Sequence, residues 1–493
     1  MRETIIMYNP ISTSPNKQRL PMSLLSIAAM LHDDYDFELL DGNLISDAAN
    51  HIIERVKATG SKLLAMTVMP GPQIRQAVPL TKKIRAELPD LTIIWGGYFA
   101  SHHYELCLSS GYIDYAVVGQ GEIPFRKFVD TFYSGGNMRD VPSLAYCEDG
   151  QLVVNPKAPV APLENLPRYP YHKINMENYV GNSYLGKRVL SHHSSWGCPF
   201  ACNFCAIVPL AKQRWSAESA DRVGETMRYL KQMYNIDGME FHDMDFFVKE
   251  DRSAQIAEQM IGLDINWWAL GRVDTMMGYS DETYQKLADS GLKMVFMGAE
   301  AGDDETLKLM NKGGRSGVDQ TLGIVERMGK FGIVPELSFV LGTPPDPIAS
   351  IESTITFIRK VKEINPATEI ILYMYTPVAE FESPMMQEAI AQGFEFPQTL
   401  EQWASDEWAE KSMRRSPGTP WSIDPIRNKI RNFETVINAF YPTVTDMRLQ
   451  GSMRTLLKAV SGWRYNLEFY AAPYELKILQ KLIQYRRPET TGF

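Results

Sequence analysis

The chain has 493 residues, enough for about three domains at roughly 150 residues each. Its 44% hydrophobic and 22% charged residues are ordinary globular values and exclude wholesale disorder. A formal charge of −9 argues against a general nucleic-acid binder. In chain order, short and partly β-branched apolar runs at 4–8, 36–40, 62–68, 91–95 and 113–118 predict strands. Stretches near 21–32, 45–58, 73–87, 102–109 and 122–133 predict helices between them. Such alternation points to an α/β fold with a doubly wound parallel sheet over residues 1–135, where ligands sit at the carboxyl ends of the strands.

Residues 136–185 interrupt the rhythm with Gly135-Gly136 at their start and a run of prolines, and read as a linker holding a small hairpin at 144–155. A second alternating series follows over 186–380. Strands are expected at 189–195, 237–242, 266–271, 293–299, 333–341 and 368–375, and helices near 217–234, 250–262, 281–290, 317–331 and 349–364. Six such units suggest a partial (β/α)6 barrel, with a second open sheet as the alternative. Residues 381–493 lose the rhythm and read as mainly helical.

Three of the five cysteines, Cys198, Cys202 and Cys205, form a C-x3-C-x2-C cluster directly after the first strand of the second series. A loop there lies at a barrel mouth, where catalytic groups belong. Three close thiolates suit a soft metal centre. On spacing alone, a zinc site completed by His192, His193 or His242 stays open, as do incidental buried cysteines.

The cluster, with the aromatic Phe204 just before its last cysteine, resembles the signature of radical S-adenosylmethionine (SAM) enzymes. The resemblance implies that Cys198, Cys202 and Cys205 hold a [4Fe–4S] cluster whose open iron chelates SAM. One electron, from a donor such as flavodoxin or ferredoxin, would then release a 5′-deoxyadenosyl radical. The likeness extends along 185–400. Phe241-His242-Asp243-Met244-Asp245-Phe246-Phe247 matches a loop placed near SAM's methionine, and Gly271-Arg272-Val273-Asp274 ends the third strand. Met297-Gly298-Ala299-Glu300-Ala301-Gly302 resembles the family's G-x-E-S-G, with Ala301 for the usual serine. Ser338 and Leu341-Gly342-Thr343-Pro344 match positions near the adenosine. By this likeness Phe204, Asp243, Glu300, Ser338 and Gly342 contact SAM, while Glu300, Arg272 and Asp245 take catalytic roles. Glu380-Phe381-Glu382-Ser383-Pro384 departs from the P-G-T of relatives and is expected to meet substrate.

The first domain resembles flavodoxin-like cobalamin-binding domains. Gly96-Gly97 follows the fourth strand, and Thr67-Val68-Met69 ends the third at that family's spacing. Leu20-Pro21-Met22-Ser23-Leu24-Leu25 occupies the D-x-H-x-x-G slot, so Met22 stands where the cobalt-ligating histidine would be. Radical SAM enzymes with such a domain often lack that histidine, and Gly119-Gln120-Gly121-Glu122 resembles their G-E-G-E turn. The likeness implies that Thr67, Gly71, Gln73, Gly96, Gly97 and Gly119 line cobalamin. A flavodoxin-like domain without cobalamin is the alternative.

From Lys411 onward the chain carries 14 lysines and arginines against 6 acidic residues, net +8, among Trp, Tyr, Phe and Leu. This segment reads as a helical cap that closes the barrel mouth, with an interfacial, peripheral membrane contact as the sharper alternative. No apolar run is long enough to span a membrane, and the N-terminus is too short for a signal peptide, so a cytoplasmic location with free thiols is expected. The function implied is a cobalamin-dependent radical SAM enzyme, methylating an unactivated carbon of an apolar small molecule: a lipid, isoprenoid or tetrapyrrole-like compound. Ring formation of the anaerobic magnesium-protoporphyrin ester cyclase type is the alternative. A tRNA methylthiotransferase would bring a second cysteine triad, absent here, and a non-catalytic sensor would not need the SAM-contacting loops.

Overall fold

The computed structural model describes residues 3–312, 317–379, 382–411, 418–449 and 451–485. In the first domain lie β1 (Thr4–Asn9), β2 (Asp36–Asp41), β3 (Leu63–Thr67), β4 (Thr92–Gly96) and β5 (Tyr115–Val117). They pair in parallel. Their runs are apolar on both faces because helices cover both sides; Ile5 to Tyr8 are fully buried. β6 (Leu144–Glu148) and β7 (Gln151–Val154) form the expected hairpin, which adds antiparallel to β5. The sheet order is β2-β1-β3-β4-β5-β6-β7. The chain steps from β1 to one side and then returns to the other, which opens a crevice at the carboxyl ends of β1 and β3. The single helix expected near 102–109 is two, Gly97–His102 and Tyr104–Ser109, because Gly97 turns at φ +86 straight into a helical turn.

The second sheet holds β8 (Gly181–Ser183) and β9 (Gly186–His192). A two-stranded ladder, β10 (Ser195–Gly197) with β11 (Trp215–Ala217), follows. Then come β12 (Gly238–Phe241), β13 (Asn266–Arg272), β14 (Leu292–Glu300), β15 (Val334–Leu341) and β16 (Glu369–Met374). The order β16-β15-β14-β13-β12-β9-β8 runs one way without reversal, with β8 antiparallel at its edge. This is the progression of a barrel; β8 and β16 remain unpaired with each other, so it is partial. The predicted strand 189–195 breaks at His193–Ser194. The Asp243 carboxylate accepts hydrogen bonds from the Ser194 amide (3.1 Å) and hydroxyl (2.8 Å) and from the Ser195 hydroxyl, pulling the backbone out of the ladder.

After β16 the chain divides. The described residues between 382 and 423 divide in turn, one part staying near the barrel mouth: Met385, Ala389 and Phe394 pack with Tyr375 and Met310, against Phe204, Trp408 and Trp421. The other part reaches back to the first domain, where Leu400 and Trp403 are buried in its core and Trp403 meets the edge of Phe99 at 5.4 Å. The helices Asp424–Phe440, Gly451–Asn466 and Tyr474–Ile483 lie elsewhere. Arg359, on the outer helix Pro347–Ile364, donates to the Tyr465 carbonyl at 2.6 Å. Glu369, at the start of β16, accepts from Thr443 at 2.7 Å and the Val444 amide at 2.6 Å. The described residues beyond 440 therefore pack on the barrel's outer side and lower end rather than closing its mouth.

Candidate active site

The cysteine turn begins at Gly197, whose φ is +82 and where a Cβ would meet the Arg214 carbonyl oxygen at 2.2 Å. Only glycine lets the two strands of this small ladder approach so closely. The turn is stitched to residues 309–312. The Asn203 amide donates to the Met310 carbonyl (2.9 Å), its side chain to Leu309 (2.7 Å), and Asn311 to the Ala201 carbonyl (2.9 Å). Burial pushes the Cys198 thiol up to about 12 and raises that of Cys205. Such thiols become thiolates when a metal centre supplies compensating charge. The donor set, three sulfurs on one turn, fits a soft centre with an open position. Among the described residues, no three His, Cys, Asp or Glu side chains are drawn together as ligands of one ion. His192 is engaged elsewhere, bonded to Tyr171 (3.0 Å), and His242 lies beside Glu240 (2.9 Å).

A buried charged network surrounds this turn. Arg272, at the end of β13, grips Asp274 with two bonds of 2.9 and 2.8 Å, touches the Cys202 sulfur at 3.2 Å and donates to the Lys312 carbonyl at 2.7 Å. Its guanidinium lies 3.8 Å from the Phe200 ring centre. Lys312 forms an ion pair with Glu300, both nearly inaccessible, and its ammonium stands 5.7 Å from the Phe204 ring centre. Glu300 sits at φ +66, a left-handed conformation that a non-glycine residue holds at a cost. A Cβ on Gly298 would meet the Glu300 carboxylate at 1.8 Å, so that glycine makes room for the pair. Asp245 is 1% exposed, and neither carboxylate oxygen has a hydrogen-bond partner among the described residues. Burial raises it to about 7, against the pull of Arg272. An orphaned buried carboxyl facing the thiols is what a site shaped for a missing polar ligand would leave.

The structure thus brings Cys198, Cys202, Cys205, Phe204, Asp245, Arg272 and Glu300 together. The Asp243 carboxylate accepts hydrogen bonds from Ser194 and Ser195 and so holds the turn that leads into the cysteine loop, a positioning role that the sequence did not show. Ser338 is buried in β15, and Gly342, at φ +73, offers its carbonyl to the Trp421 indole at 2.8 Å. Glu380 and Phe381 lie outside the described residues. Lys312 escaped the sequence reading; the nearby Gly298-x-Glu300 was the available signal, but nothing local marks a lysine twelve residues on.

A cavity of about 500 Å³ occupies the carboxyl edge of the first sheet. Asn9, Thr67, Gln73, Gly96, Gly97 and Gly119 line it from that sheet; Gly71, at the neighbouring helix start, does not. At Gly97 a Cβ would approach the Thr67 hydroxyl at 2.8 Å and the Val68 amide at 3.0 Å, so the strand end stays bare. Gln73 is a positioning residue: its side chain accepts from the Met69 amide (2.8 Å) and donates to Asn9 (3.0 Å), tying β1 to the loop after β3. Met22 lines the cavity, as its slot predicted, and so does His193 from the barrel. Burial and the neighbouring histidines hold that imidazole neutral, down to about 3. Ser195, Trp196, Ile207, Leu210 and Met244 complete the wall, so this cavity borders residues on either side of the cysteine turn. The bare glycine edge and the enclosed volume fit a large planar cofactor.

Comparison with known proteins agrees with this division. Residues 13–129 match the B12 binding domain and residues 194–358 the radical SAM superfamily. An uncharacterized methyltransferase of Pyrococcus horikoshii is 26% identical over 69% of this chain and 73% of its own length. The anaerobic magnesium-protoporphyrin IX monomethyl ester cyclase of a Synechocystis strain is 25% identical over 60% of this chain and 59% of its own. The radical SAM methyltransferase TsrM from Kitasatospora setae, solved with cobalamin and a [4Fe–4S] cluster, shares the fold with a TM-score of 0.68 at 16% identity, covering 98% of this chain and 99% of that one. The chain joins a B12-binding domain to a radical SAM domain, the arrangement of radical SAM enzymes that carry an N-terminal cobalamin-binding domain.

Proposed function

We propose that the protein is a cobalamin-dependent radical SAM methyltransferase acting on an unactivated carbon of an apolar small molecule. The observation that carries this reading is the shared wall: Trp196, Ile207 and Leu210 border the glycine-edged cavity and flank the cysteine turn in sequence. Cys198, Cys202 and Cys205 would hold the [4Fe–4S] cluster, and Thr67, Gly96, Gly97 and Gly119 would line cobalamin. When bound, these cofactors supply one-electron cleavage of SAM and a transferable methyl group. The chain supplies orientation and charge. Asp245 would face SAM's ammonium, and Glu300, already paired with Lys312, would border its methionyl end. Arg272 steadies the Cys202 sulfur, and the glycine edges let a planar ring lie against backbone.

The substrate reading rests on Phe204, Tyr375, Phe394, Phe396, Trp408 and Trp421, which gather at the mouth and favour an apolar or aromatic surface. An isoprenoid, lipid or tetrapyrrole-like compound suits it. Ring closure is the second reading, favoured by the likeness to the magnesium-protoporphyrin cyclase. Anaerobically purified protein, assayed for iron, sulfide and cobalt and then given SAM, a reductant and candidate substrates, tests both. Methyl transfer yields S-adenosylhomocysteine in step with product; cyclisation yields none. Absence of cobalt binding would overturn the methyltransferase reading. No helix among the described residues is long and apolar enough to cross a membrane. Exposed Leu456, Trp463, Leu467 and Leu482 on the outer helices are where a lipid surface would be met, and liposome binding tests that contact.

A further inference from the structure

A second cleft, of about 590 Å³, lies beside the glycine-edged cavity and shares Gly119, Gln120, Trp196 and Leu210 with it. Lys157, Lys212 and Arg214 line this cleft, all exposed. None has a carboxylate within ion-pair reach among the described residues, although the chain is net acidic. Most other surface arginines here, such as Arg168 and Arg188, are paired. Partial burial and the neighbouring Lys212 hold the Lys157 ammonium below the usual lysine range. Like charges kept together without a counter-ion mark a place that an anionic partner completes.

The patch adjoins the cysteine turn. The Val208 amide donates to the Cys205 carbonyl (3.2 Å) and the Lys212 amide to the Val208 carbonyl (2.9 Å), a hydrogen-bonded backbone run from the last cysteine to the patch. On the other side, Gly197 pairs with Trp215 across the β10–β11 ladder, setting Arg214 against the residue before Cys198. We infer that this basic cleft is the docking surface for an acidic one-electron carrier protein that reduces the cysteine-bound cluster. The inference rests on the cluster reading above. In the step, one electron leaves the carrier's reduced cofactor and enters the cluster; no bond forms or breaks.

The test compares two reductants of the reconstituted holoenzyme: a reduced acidic flavodoxin, and photoreduced deazariboflavin, which is small and uncharged. The variants are K157Q/K212Q/R214Q and K157E/K212E/R214E. The charge-reversed variant should be reduced by flavodoxin at least about tenfold more slowly, with the neutral variant between, and with the salt dependence of the wild type lost. Iron content and the rate with deazariboflavin should not change. Equal flavodoxin rates in all three proteins would overturn the inference. So would weakened binding of cobalamin but not of cobinamide, which lacks the nucleotide phosphodiester, because the cations would then serve the cofactor. A wild type that holds no cluster would show no reduction with either reductant, and would remove the cluster reading itself.

Discussion

The two ligand-bearing regions are built from opposite materials. The cysteine turn is made of side chains: three sulfurs, two guanidinium or ammonium groups and three carboxylates, each oriented by a partner or, for Asp245, conspicuously without one. The edge of the first sheet is made of backbone: glycines at positive φ, a short neutral loop, and a methionine in the slot of a histidine. Charge recognises small ionic ligands at fixed points; bare backbone accommodates the broad face of a large one. Removing a side chain should therefore ruin the first region, and adding one should ruin the second.

The largest effect should come from the cysteines. Cys198→Ala, Cys202→Ala or Cys205→Ala should lower anaerobic 5′-deoxyadenosine formation to background, whereas Cys147→Ala, on an exposed thiol, should leave it intact. Next, Lys312→Met strands a buried Glu300 and should cost about 3–5 kcal/mol in urea denaturation. The double variant K312M/E300Q should recover most of that loss; if it does not, the pair is not what stabilises the turn. In the other region, Gly97→Ala should cost about 1–3 kcal/mol and abolish cobalamin binding, because its Cβ has no space. Gly71→Ala shares the positive φ, +83, but meets nothing within 4 Å, so it should retain binding. Equal behaviour of the two would erase the contrast.

A smaller effect concerns pH. His193 is held neutral down to about 3, while an unfolded histidine takes its proton near 6.5. Between those values the unfolded chain binds the extra proton, so stability falls on acidification through that window, by up to about 1.4 kcal/mol per pH unit. His193→Gln should flatten this slope in cofactor-free protein, read from urea midpoints at pH 4 to 7. The smallest effect is an absence: the Co(II) form should show no histidine-nitrogen splitting in its paramagnetic resonance. Splitting that disappears in His193→Gln would mean that the barrel, not the first domain, reaches the cobalt.

The parallel strands of both sheets were legible because each is a short apolar run between helices, and local pattern suffices for that; β8 was not, because Gly181-Asn182-Ser183 carries no apolar signal. The cysteine turn was legible for the same reason: its three cysteines lie within eight residues. Lys312 was not, since its meaning depends on Glu300 adopting a left-handed backbone over Gly298. The hydrogen bonds of Asp243 were not legible either, because its partners, Ser194 and Ser195, lie on another strand's end and nothing in the local motif shows them. The segment after β16 was read as one cap, yet Trp421 stays at the mouth while Thr443 reaches the far end of β16. Composition reports that a segment is basic and aromatic; it does not report which face of the barrel it covers.

The return of Leu400 and Trp403 to the core of the first domain carries a consequence in time. A ribosome delivers the helix Glu122–Ser134 early and the turn Leu400–Trp403 only some 270 residues later, on the order of tens of seconds at about 5–20 residues per second. Throughout that interval Phe99 and the helix beside it lack their last apolar cover. The nascent first domain must persist with an unsealed flank until the barrel has been synthesised, and only then is it latched. Synthesis order makes the barrel a prerequisite for finishing the domain that precedes it, and ribosomes stalled at successive points beyond Trp403 should show protease sensitivity at that flank vanish once the tryptophan has cleared the exit tunnel.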